Sequence, residues 1–387
     1  MRGRILFNGN FPDDAAFAER MGEWMDASRH VDDDVRRSRK VLLVTAGWEA
    51  REHDEGHVKR ALGRLGIPSR MVDGYDVNLQ NLSAWHACEE LAAREPALAA
   101  RWRAREALVD EIRTQYLEKN AFHIGLLRRT LAHLRERAGP HRLGDLLAEL
   151  PGALAHPPDD LDDHRLLTHF LVRDLGDIIA ALCENDDRMV EKLRALDAHF
   201  SAATGIAHNA AWRELRARLA DRVLSASAIF IYGGHLGALH RSLSFFRLRD
   251  VFVEALRRGA CIFAVSAGSL LLCDRIIVYN DFPSELGPRR EFQLFDRGFG
   301  LVRHLQIFPH CTDRIQTDDE DNLAYLAHRF RNRTCVGLNE GSFLLVDPSR
   351  GQGGPAVAVG RDDDVYVFDR QGRKQRRRFG ESVPGTE

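Results

Sequence analysis

The segment C261-I-F-A-V-S-A-G-S269 decides the fold, because an apolar run ends there in a serine between small residues. Its first five residues predict a buried strand, and the three leucines that follow the segment predict a helix. A tight turn between strand and helix projects a serine hydroxyl above the sheet and tolerates only small residues two positions away on either side. Ala264 and Gly268 meet this requirement, so we predict Ser266 as a nucleophile. The alternative is a small-residue turn without chemistry.

The backbone around this serine predicts a place for an oxyanion. The preceding apolar run, from 228 to 231, ends in Tyr-Gly-Gly-His, with Gly233 and Gly234 after the strand. Glycines let a backbone approach a ligand closely, and one of their N–H groups would stabilise negative charge together with the N–H of Ala267. We therefore predict an oxyanion hole formed by Gly233, Gly234 and Ala267.

A base and a carboxylate follow two later strands. Phe-Pro-His-Cys carries His310, and Gly-Leu-Asn-Glu-Gly carries Glu340, each at the end of an apolar run. Polar residues at the carboxyl ends of strands in an open α/β sheet lie close together. A histidine would take the serine proton, and a carboxylate would orient the imidazole. These residues predict a catalytic triad of Ser266, His310 and Glu340, with Asp281 as the alternative third member.

Six motifs in order carry a family resemblance over residues 228–369. They are Tyr-Gly-Gly, Val-Ser-Ala-Gly, Asn-Asp-Phe-Pro, Phe-Pro-His, Gly-Leu-Asn-Glu-Gly and the closing pair Ala-Val-Ala-Val-Gly and Val-Tyr-Val-Phe. This segment resembles peptidase family S51, the dipeptidase E and cyanophycinase group, whose fold is similar to that of class I glutamine amidotransferases. The resemblance implies a serine hydrolase with a Ser-His-Glu triad on the same three residues, an acyl-enzyme intermediate and no cofactor. It also implies a small peptide or amide as substrate.

Two departures from the family pattern concern the substrate pocket. His235 follows the paired glycines where the family commonly has Asn or Asp, and Ile277 stands where the aspartyl dipeptidases have an arginine. A preference for acidic substrates is therefore not predicted, although Arg275 and the pair Arg289-Arg290 are candidate replacements for the missing cation. The predicted substrate-binding residues are His235, Arg275, Asn280 and Asp281.

Apolar periodicity changes along the chain and predicts its organisation. Alternating strand and helix patterns occupy residues 1–78, helical spacing without a convincing strand occupies 79–224, and the α/β pattern returns over 225–370. We predict one α/β domain with a mostly parallel sheet and flanking helices, interrupted by a helical insertion and followed by a solvated basic tail at 371–387. Two independent domains are the alternative.

Composition limits the classes of partner. The chain has 387 residues, a formal net charge of -2 and 44% hydrophobic residues, so no global field would hold nucleic acid or an anionic membrane. No apolar stretch approaches the ~18 residues of a membrane span, and the N-terminus lacks the apolar core of a secretory signal. Six cysteines without a CxxC pair predict buried free thiols and a cytoplasmic protein.

No metal site is predicted, because the histidines of the helical segment do not form a ligand motif such as HExxH. The amphipathic helices offer apolar faces for a homo-oligomer or a protein partner. A non-catalytic scaffold that keeps the peptidase fold for binding remains the alternative to an enzyme.

Overall fold

A computed structural model describes residues 2–9, 27–63, 66–149, 162–279, 292–347, 356–359 and 365–384. The strands in chain order are β1 (Ile5–Asn8), β2 (Val41–Val44), β3 (Met71–Val72), β4 (Tyr75–Asp76), β5 (Leu79–Asn81), β6 (Ala228–Ile231), β7 (Cys261–Val265), β8 (Arg275–Tyr279), β9 (Phe292–Arg297), β10 (Leu305–Pro309), β11 (Thr334–Leu338), β12 (Phe343–Val346), β13 (Ala356–Ala358), β14 (Val365–Phe368), β15 (Lys374–Arg377) and β16 (Ser382–Val383). The α-helices are α1 (Asp33–Ser38), α2 (Gly56–Gly63), α3 (Ala84–Arg94), α4 (Pro96–Ala138), α5 (Leu143–Ala148), α6 (Asp163–Thr204), α7 (Ala210–Leu224), α8 (Leu236–Phe245), α9 (Arg249–Arg258), α10 (Ala267–Leu272), α11 (Cys311–Arg314) and α12 (Glu320–Arg329).

The central sheet has eight strands in the order β16-β13-β12-β1-β7-β6-β2-β5. The pairs from β1 to β5 in this order are parallel, whereas β12, β13 and β16 add antiparallel strands on the other side of β1. Every residue of β1, β2, β6 and β7 is buried, as expected for strands covered by helices on both faces. The predicted α/β architecture with a mostly parallel sheet and flanking helices is confirmed.

A second sheet carries the other predicted catalytic segments. It has the order β10-β11-β14-β15, and its first two strands are parallel. His310 directly follows β10, and Glu340 follows β11, so their carboxyl ends do lie together. The expectation that all three predicted catalytic residues follow strands of one sheet is nevertheless wrong, since Ser266 follows β7 of the central sheet.

The long helical segment begins later than predicted. Strand β5, at residues 79–81, pairs in parallel with β2 at the edge of the central sheet. Strands β3 and β4 form a separate two-stranded ribbon and do not join the central sheet. From α3 to α7 the described residues contain helices and no strand. The ends of this segment lie close together, because Arg222 donates to the backbone oxygens of Asn81 and Leu82, each at 3.0 Å.

The basic C-terminal segment exposes its charged side chains, but it is paired into the sheets and is not the free extension that was predicted. Strand β15, Lys-Gln-Arg-Arg, pairs with β14, and β16 pairs with β13 at the edge of the central sheet. Edge strands accept charged side chains, because the backbone makes the pairing while the side chains reach water. The composition of the segment alone therefore does not predict such a strand.

All six cysteines are free; five are buried and Cys88 is half-buried, which confirms the prediction of unpaired thiols. Among the described helices, none combines the length and apolar character that a membrane crossing requires.

Candidate active site

Ser266 lies on a strained turn between β7 and α10. Its φ is 51° and its ψ is -114°, a backbone conformation that is costly for a residue with a side chain. The turn also depends on a missing side chain, because a Cβ on Gly268 would lie 2.3 Å from the backbone oxygen of Ile231. The strain is maintained by the packing of this turn against β6. Such strain is common where a nucleophile must be exposed at the top of a sheet.

His310 lies within hydrogen-bond distance of this serine. The His310 Nε2 is 2.9 Å from Ser266 Oγ, although the two residues come from different sheets. His310 also has a left-handed backbone, with φ 52° and ψ 40°, at the point where β10 gives way to α11. The separation falls within the ~2.6–3.2 Å expected between a nucleophile and its base.

Burial controls the protonation of this histidine. Desolvation lowers the pKa of His310, while the negative charges of Asp313 and Glu340 raise it by smaller amounts. A lowered pKa keeps the imidazole neutral near pH 7, so Nε2 is able to accept a proton. The pair of Ser266 and His310 can therefore act as nucleophile and general base.

Glu340 faces the solvent in the turn after β11 and acts on His310 through its charge. Among the described residues, no carboxylate makes a hydrogen bond to the His310 ring. Asp313, at the start of α11, exerts the larger electrostatic effect of the two. Asp281, the alternative third member of the triad, lies outside the described residues.

Gly233 lies directly against the serine hydroxyl. A Cβ at this position would be 2.9 Å from Ser266 Cβ and 3.2 Å from Ser266 Oγ. Trp48 Nε1 donates to the Gly233 backbone oxygen at 3.0 Å, which fixes the orientation of the peptide between Gly233 and Gly234. Ala267, as the first residue of α10, has an N–H without an intrahelical acceptor. The backbone here resembles an oxyanion hole in its composition and its proximity to the hydroxyl.

Asn8, at the end of β1, is a residue of the site that the sequence analysis missed. It is fully buried, and its Nδ2 donates to the backbone oxygens of Glu340 at 2.7 Å and Ser342 at 2.9 Å. Its own backbone oxygen accepts from the Ser266 N–H at 3.2 Å. The sequence does contain a signal for this residue, since Asn8 is a polar amide at the end of an apolar strand, directly before a glycine.

A further contact joins the Glu340 turn to the His310 helix. Asn339 Nδ2 donates to Thr312 Oγ1 at 3.0 Å, and the Thr312 N–H donates to Asn339 Oδ1 at 3.2 Å. This pair of hydrogen bonds ties the two loops that carry the predicted base and the predicted carboxylate.

The predicted substrate-binding residues lie in different surroundings. His235 is exposed beside the glycines, and its Nδ1 is 3.1 Å from Glu49 Oε1. Glu49 has a strained backbone, with φ 57° and ψ -127°, in the loop after β2. Arg275 pairs with Asp187 of α6 and so is used in holding the helical segment to the sheet. Asn280 and Asp281 lie outside the described residues.

One group of side chains has the composition of a metal site. Ligand atoms of Glu52, His53 and His86 all lie within 4.8 Å of one another. The Glu52 carboxylate, however, accepts from the backbone N–H groups of Trp85 at 3.2 Å and His86 at 2.9 Å, and lies 2.8 Å from His86 Nδ1. These contacts explain the buried carboxylate as the cap of α3.

Comparisons with known proteins agree with the resemblance that the motifs predicted. Residues 179–352 match the family model of peptidase family S51, which confirms the predicted resemblance over residues 228–352. Peptidase E of Streptomyces coelicolor is 29% identical over 160 residues, or 38% of this chain and 58% of that protein. Peptidase E of Citrobacter koseri is 30% identical over 152 residues, or 38% of this chain and 61% of that protein. The chain thus spans about three fifths of the length of these relatives.

A solved structure is similar over most of its length. The crystal structure of a peptidase from an acI-B1 actinobacterium has a TM-score of 0.45 and 14% sequence identity to this protein. The alignment covers 99% of this chain and 97% of the chain in that structure.

Proposed function

We propose that this protein is a serine peptidase or amidase in which Ser266 is the nucleophile, His310 the general base and Glu340 the orienting carboxylate. The observation that carries the proposal is the 2.9 Å separation of Ser266 Oγ and His310 Nε2, at a serine held in a strained turn. Two residues that are 44 positions apart and follow strands of different sheets meet with the atoms and the distance that proton transfer requires. The match to peptidase family S51 over residues 179–352 supports the same chemistry.

The first half of the reaction forms an acyl-enzyme. Ser266 Oγ attacks the substrate carbonyl carbon while His310 Nε2 takes the hydroxyl proton. The carbonyl oxygen becomes an oxyanion, which the N–H of Ala267 and an N–H of Gly233 or Gly234 stabilise. When the C–N bond breaks, the imidazolium returns the proton to the leaving amine.

The second half releases the product. A water molecule gives a proton to His310 and attacks the acyl carbon, and the proton then returns to Ser266 Oγ as the C–O bond breaks. Glu340 would stabilise the imidazolium in both halves. Its electrostatic effect on His310 supports this role, and the hydrogen bonds from Asn8 and Thr312 to its turn restrict where the carboxylate can move.

The substrate is proposed to be a short peptide or small amide. The exposed Glu49 carboxylate lies beside His235, next to the glycines of the oxyanion loop, where it would attract a free α-amino group. Among the residues that the structure describes, there is no comparable support for an acidic side-chain pocket, because Ile277 is buried and Arg275 is paired with Asp187. Short peptides with an uncharged first side chain are therefore the expected substrates.

A fluorophosphonate probe tests the nucleophile without knowledge of the substrate. The wild-type protein should form a covalent adduct on Ser266, detected by intact mass and by peptide mapping, and Ser266→Ala should form none. Ser244→Ala, which removes a half-buried hydroxyl on α8, is the matched control and should label as wild type does. An unlabelled wild-type protein would favour the non-catalytic scaffold, and an adduct on another serine would overturn the assignment of Ser266.

Peptide hydrolysis tests the substrate class. A dipeptide library should give products by mass spectrometry, and Glu49→Gln should raise KM for free peptides while leaving their N-acetylated forms unaffected. Cleavage of extended polypeptides without any cleavage of dipeptides would contradict the small-substrate proposal while leaving the serine mechanism in place.

A further inference from the structure

A large cavity separates the helical segment from the catalytic region. It has a volume of about 530 Å³ and lies between α4 and α6 on one side and α8, α9 and β9 on the other. The cavity is open to solvent, and small-molecule sites are typically ~300–1,000 Å³ in volume. Its size is therefore that of a small-ligand site.

The walls of the cavity are strongly cationic. Eight arginines and four carboxylates line it, although the chain as a whole has a net charge of -2. Several of these arginines are neutralised: Arg105 pairs with Glu106 and Asp197, and Arg249 pairs with Asp250. The excess positive charge resides on those that remain.

Four of the lining arginines make no ion pair with any residue that the structure describes. Arg247 donates to Ser201 Oγ at 2.7 Å, and the other three are Arg194, Arg297 and Arg303. They come from separate parts of the chain, with Arg194 on α6, Arg297 at the end of β9 and Arg303 in the loop before β10. Arg194 and Arg303 are exposed and Arg297 is half-buried, and three like charges around one cavity attract an anion from solution.

Of these three arginines, Arg297 is the least exposed. It is half-buried, and its Nε is buried without a hydrogen-bond partner among the described residues. Burial lowers its pKa, and the charges of Arg194 and Arg249 lower it further. Asp274 acts on Arg297 in the opposite direction but makes its own short contact with Arg333, at 2.6 Å. A buried donor next to like charges is the environment that an anionic ligand would complete.

We propose that this cavity is a binding site for a small multivalent oxyanion, held by Arg194, Arg297 and Arg303. Guanidinium groups match the geometry of phosphate and carboxylate oxygens with pairs of parallel hydrogen bonds. Three of them around one volume suit an anion with two or more charges better than a single carboxylate. A phosphorylated compound and a polycarboxylate share this chemistry, and the two are separated by the choice of probe.

The proposed anion site lies between the helical segment and the catalytic region. Its walls include α8, which begins directly after His235 and the oxyanion-loop glycines. They also include the two long helices α4 and α6. A bound anion would connect the helical segment to the catalytic region through α6, β9 and the loop before β10. The proposal does not depend on the serine chemistry, because it rests on the charges of the cavity alone.

Isothermal titration calorimetry of the full chain with pyrophosphate, and separately with citrate, at constant ionic strength tests the site. We expect saturable binding of one anion per chain to at least one of the probes. Arg297→Gln and Arg194→Gln should each weaken that binding by about tenfold or more, the loss expected for one charge-assisted hydrogen-bonding group. Arg173→Gln is the matched control, because Arg173 is an exposed arginine on α6 outside the cavity. It should bind as wild type does.

Thermal unfolding gives a second measurement that does not require high affinity. Without an anion, Arg297→Gln should raise the Tm, because one repelling charge is removed; with pyrophosphate or citrate, it should lose most of the Tm increase that wild type shows. Pyrophosphate binding alone assigns a phosphorylated ligand, and citrate binding alone assigns a polycarboxylate. Absence of binding to both probes, or equal binding by wild type and both arginine variants, would overturn the proposal.

Discussion

Asn8 Nδ2 lies 2.7 Å from the backbone oxygen of Glu340, across a sequence separation of 332 residues. The same asparagine accepts the Ser266 N–H through its backbone oxygen at 3.2 Å. One residue at the end of β1 therefore contacts both the turn of the proposed nucleophile and the turn of the proposed carboxylate. The N-terminal strand positions the site although it supplies no reacting atom.

Replacing this side chain should loosen the Glu340 turn. Asn8→Ala removes the donor to the backbone oxygens of Glu340 and Ser342 and should cost about 1–3 kcal/mol of the free energy of unfolding. We expect kcat to fall more than KM changes, because Asn8 is fully buried and so is out of reach of a substrate. Asn78→Ala is the matched control: Asn78 is also buried and donates to the backbone oxygen of Pro68 at 2.6 Å. It should destabilise the fold without changing kcat, and equal kcat in the two variants would contradict the positioning role.

The lowered pKa of His310 predicts the pH dependence of activity. Since the base must be neutral, the acid limb of kcat/KM should lie below pH 6.5, the ordinary histidine value. Asp313→Asn and Glu340→Gln each remove a negative charge that favours the imidazolium, so each should move the limb to lower pH, with the larger move for Asp313→Asn. On the pH plateau, only Glu340→Gln should reduce kcat substantially. A loss of kcat confined to Asp313→Asn would transfer the orienting role to Asp313.

The lowered pKa of His310 also makes the stability of the protein depend on pH. The folded state binds fewer protons than the unfolded state between the lowered pKa of His310 and pH 6.5, so the contribution of this residue to stability rises with pH through that window. His310→Gln should flatten the stability profile there in urea unfolding experiments. An unchanged profile would mean that the imidazole is not desolvated as the structure indicates.

Gly233 tests the oxyanion loop. A Cβ at this position would lie 2.9 Å from Ser266 Cβ and 3.2 Å from Ser266 Oγ, so Gly233→Ala should displace the hydroxyl or the loop. We expect the rate of fluorophosphonate labelling to fall about a hundredfold, comparable to the loss of an oxyanion donor, with little change in Tm. Gly63→Ala is the control, because no atom lies within 4 Å of the Cβ it would add. Wild-type labelling by Gly233→Ala would show that this loop has room to move.

The part of the fold that could be predicted is the part that side-chain pattern determines. Strands β1, β2, β6 and β7 are short apolar runs because both faces of the sheet are covered, and the turn at Ser266 needs the small residue that occurs at 268. The order of the motifs also placed His310 and Glu340 after neighbouring strands. These features depend on residues that are close in sequence.

The missed features depend on pairing or on distant partners. Strand β15 consists of Lys, Gln and Arg, so only its backbone pairing with β14 makes it a strand. Strand β5 has three residues, too few for periodicity. The sequence around Asn8 predicts a buried strand, but its hydrogen bonds reach residues more than 250 positions away. No local pattern identifies such contacts.

Arg329 and Asp186 join the helical segment to the catalytic region in a buried ion pair. Arg329 Nε donates to Asp186 Oδ2 at 2.8 Å and its Nη2 donates to Oδ1 at 2.6 Å, while the Tyr116 hydroxyl donates to Oδ1 at 2.7 Å. Both charged residues are less than a tenth exposed. Arg329→Met would leave the Asp186 carboxylate buried without its cation, so we expect a loss of about 3–5 kcal/mol in the free energy of unfolding.

Two further variants show whether the loss comes from an uncompensated charge. Arg329→Met combined with Asp186→Leu should recover much of the stability, because well-packed apolar side chains often replace a buried ion pair without net cost. Arg188→Ala is the matched control on α6, the helix of Asp186, since Arg188 pairs with Glu184 at the surface. This variant should lose less than about 1 kcal/mol of the free energy of unfolding. Urea unfolding of the four proteins gives the comparison. A double variant as unstable as Arg329→Met would mean that the packing of these side chains, rather than their charge, holds α6 against α12.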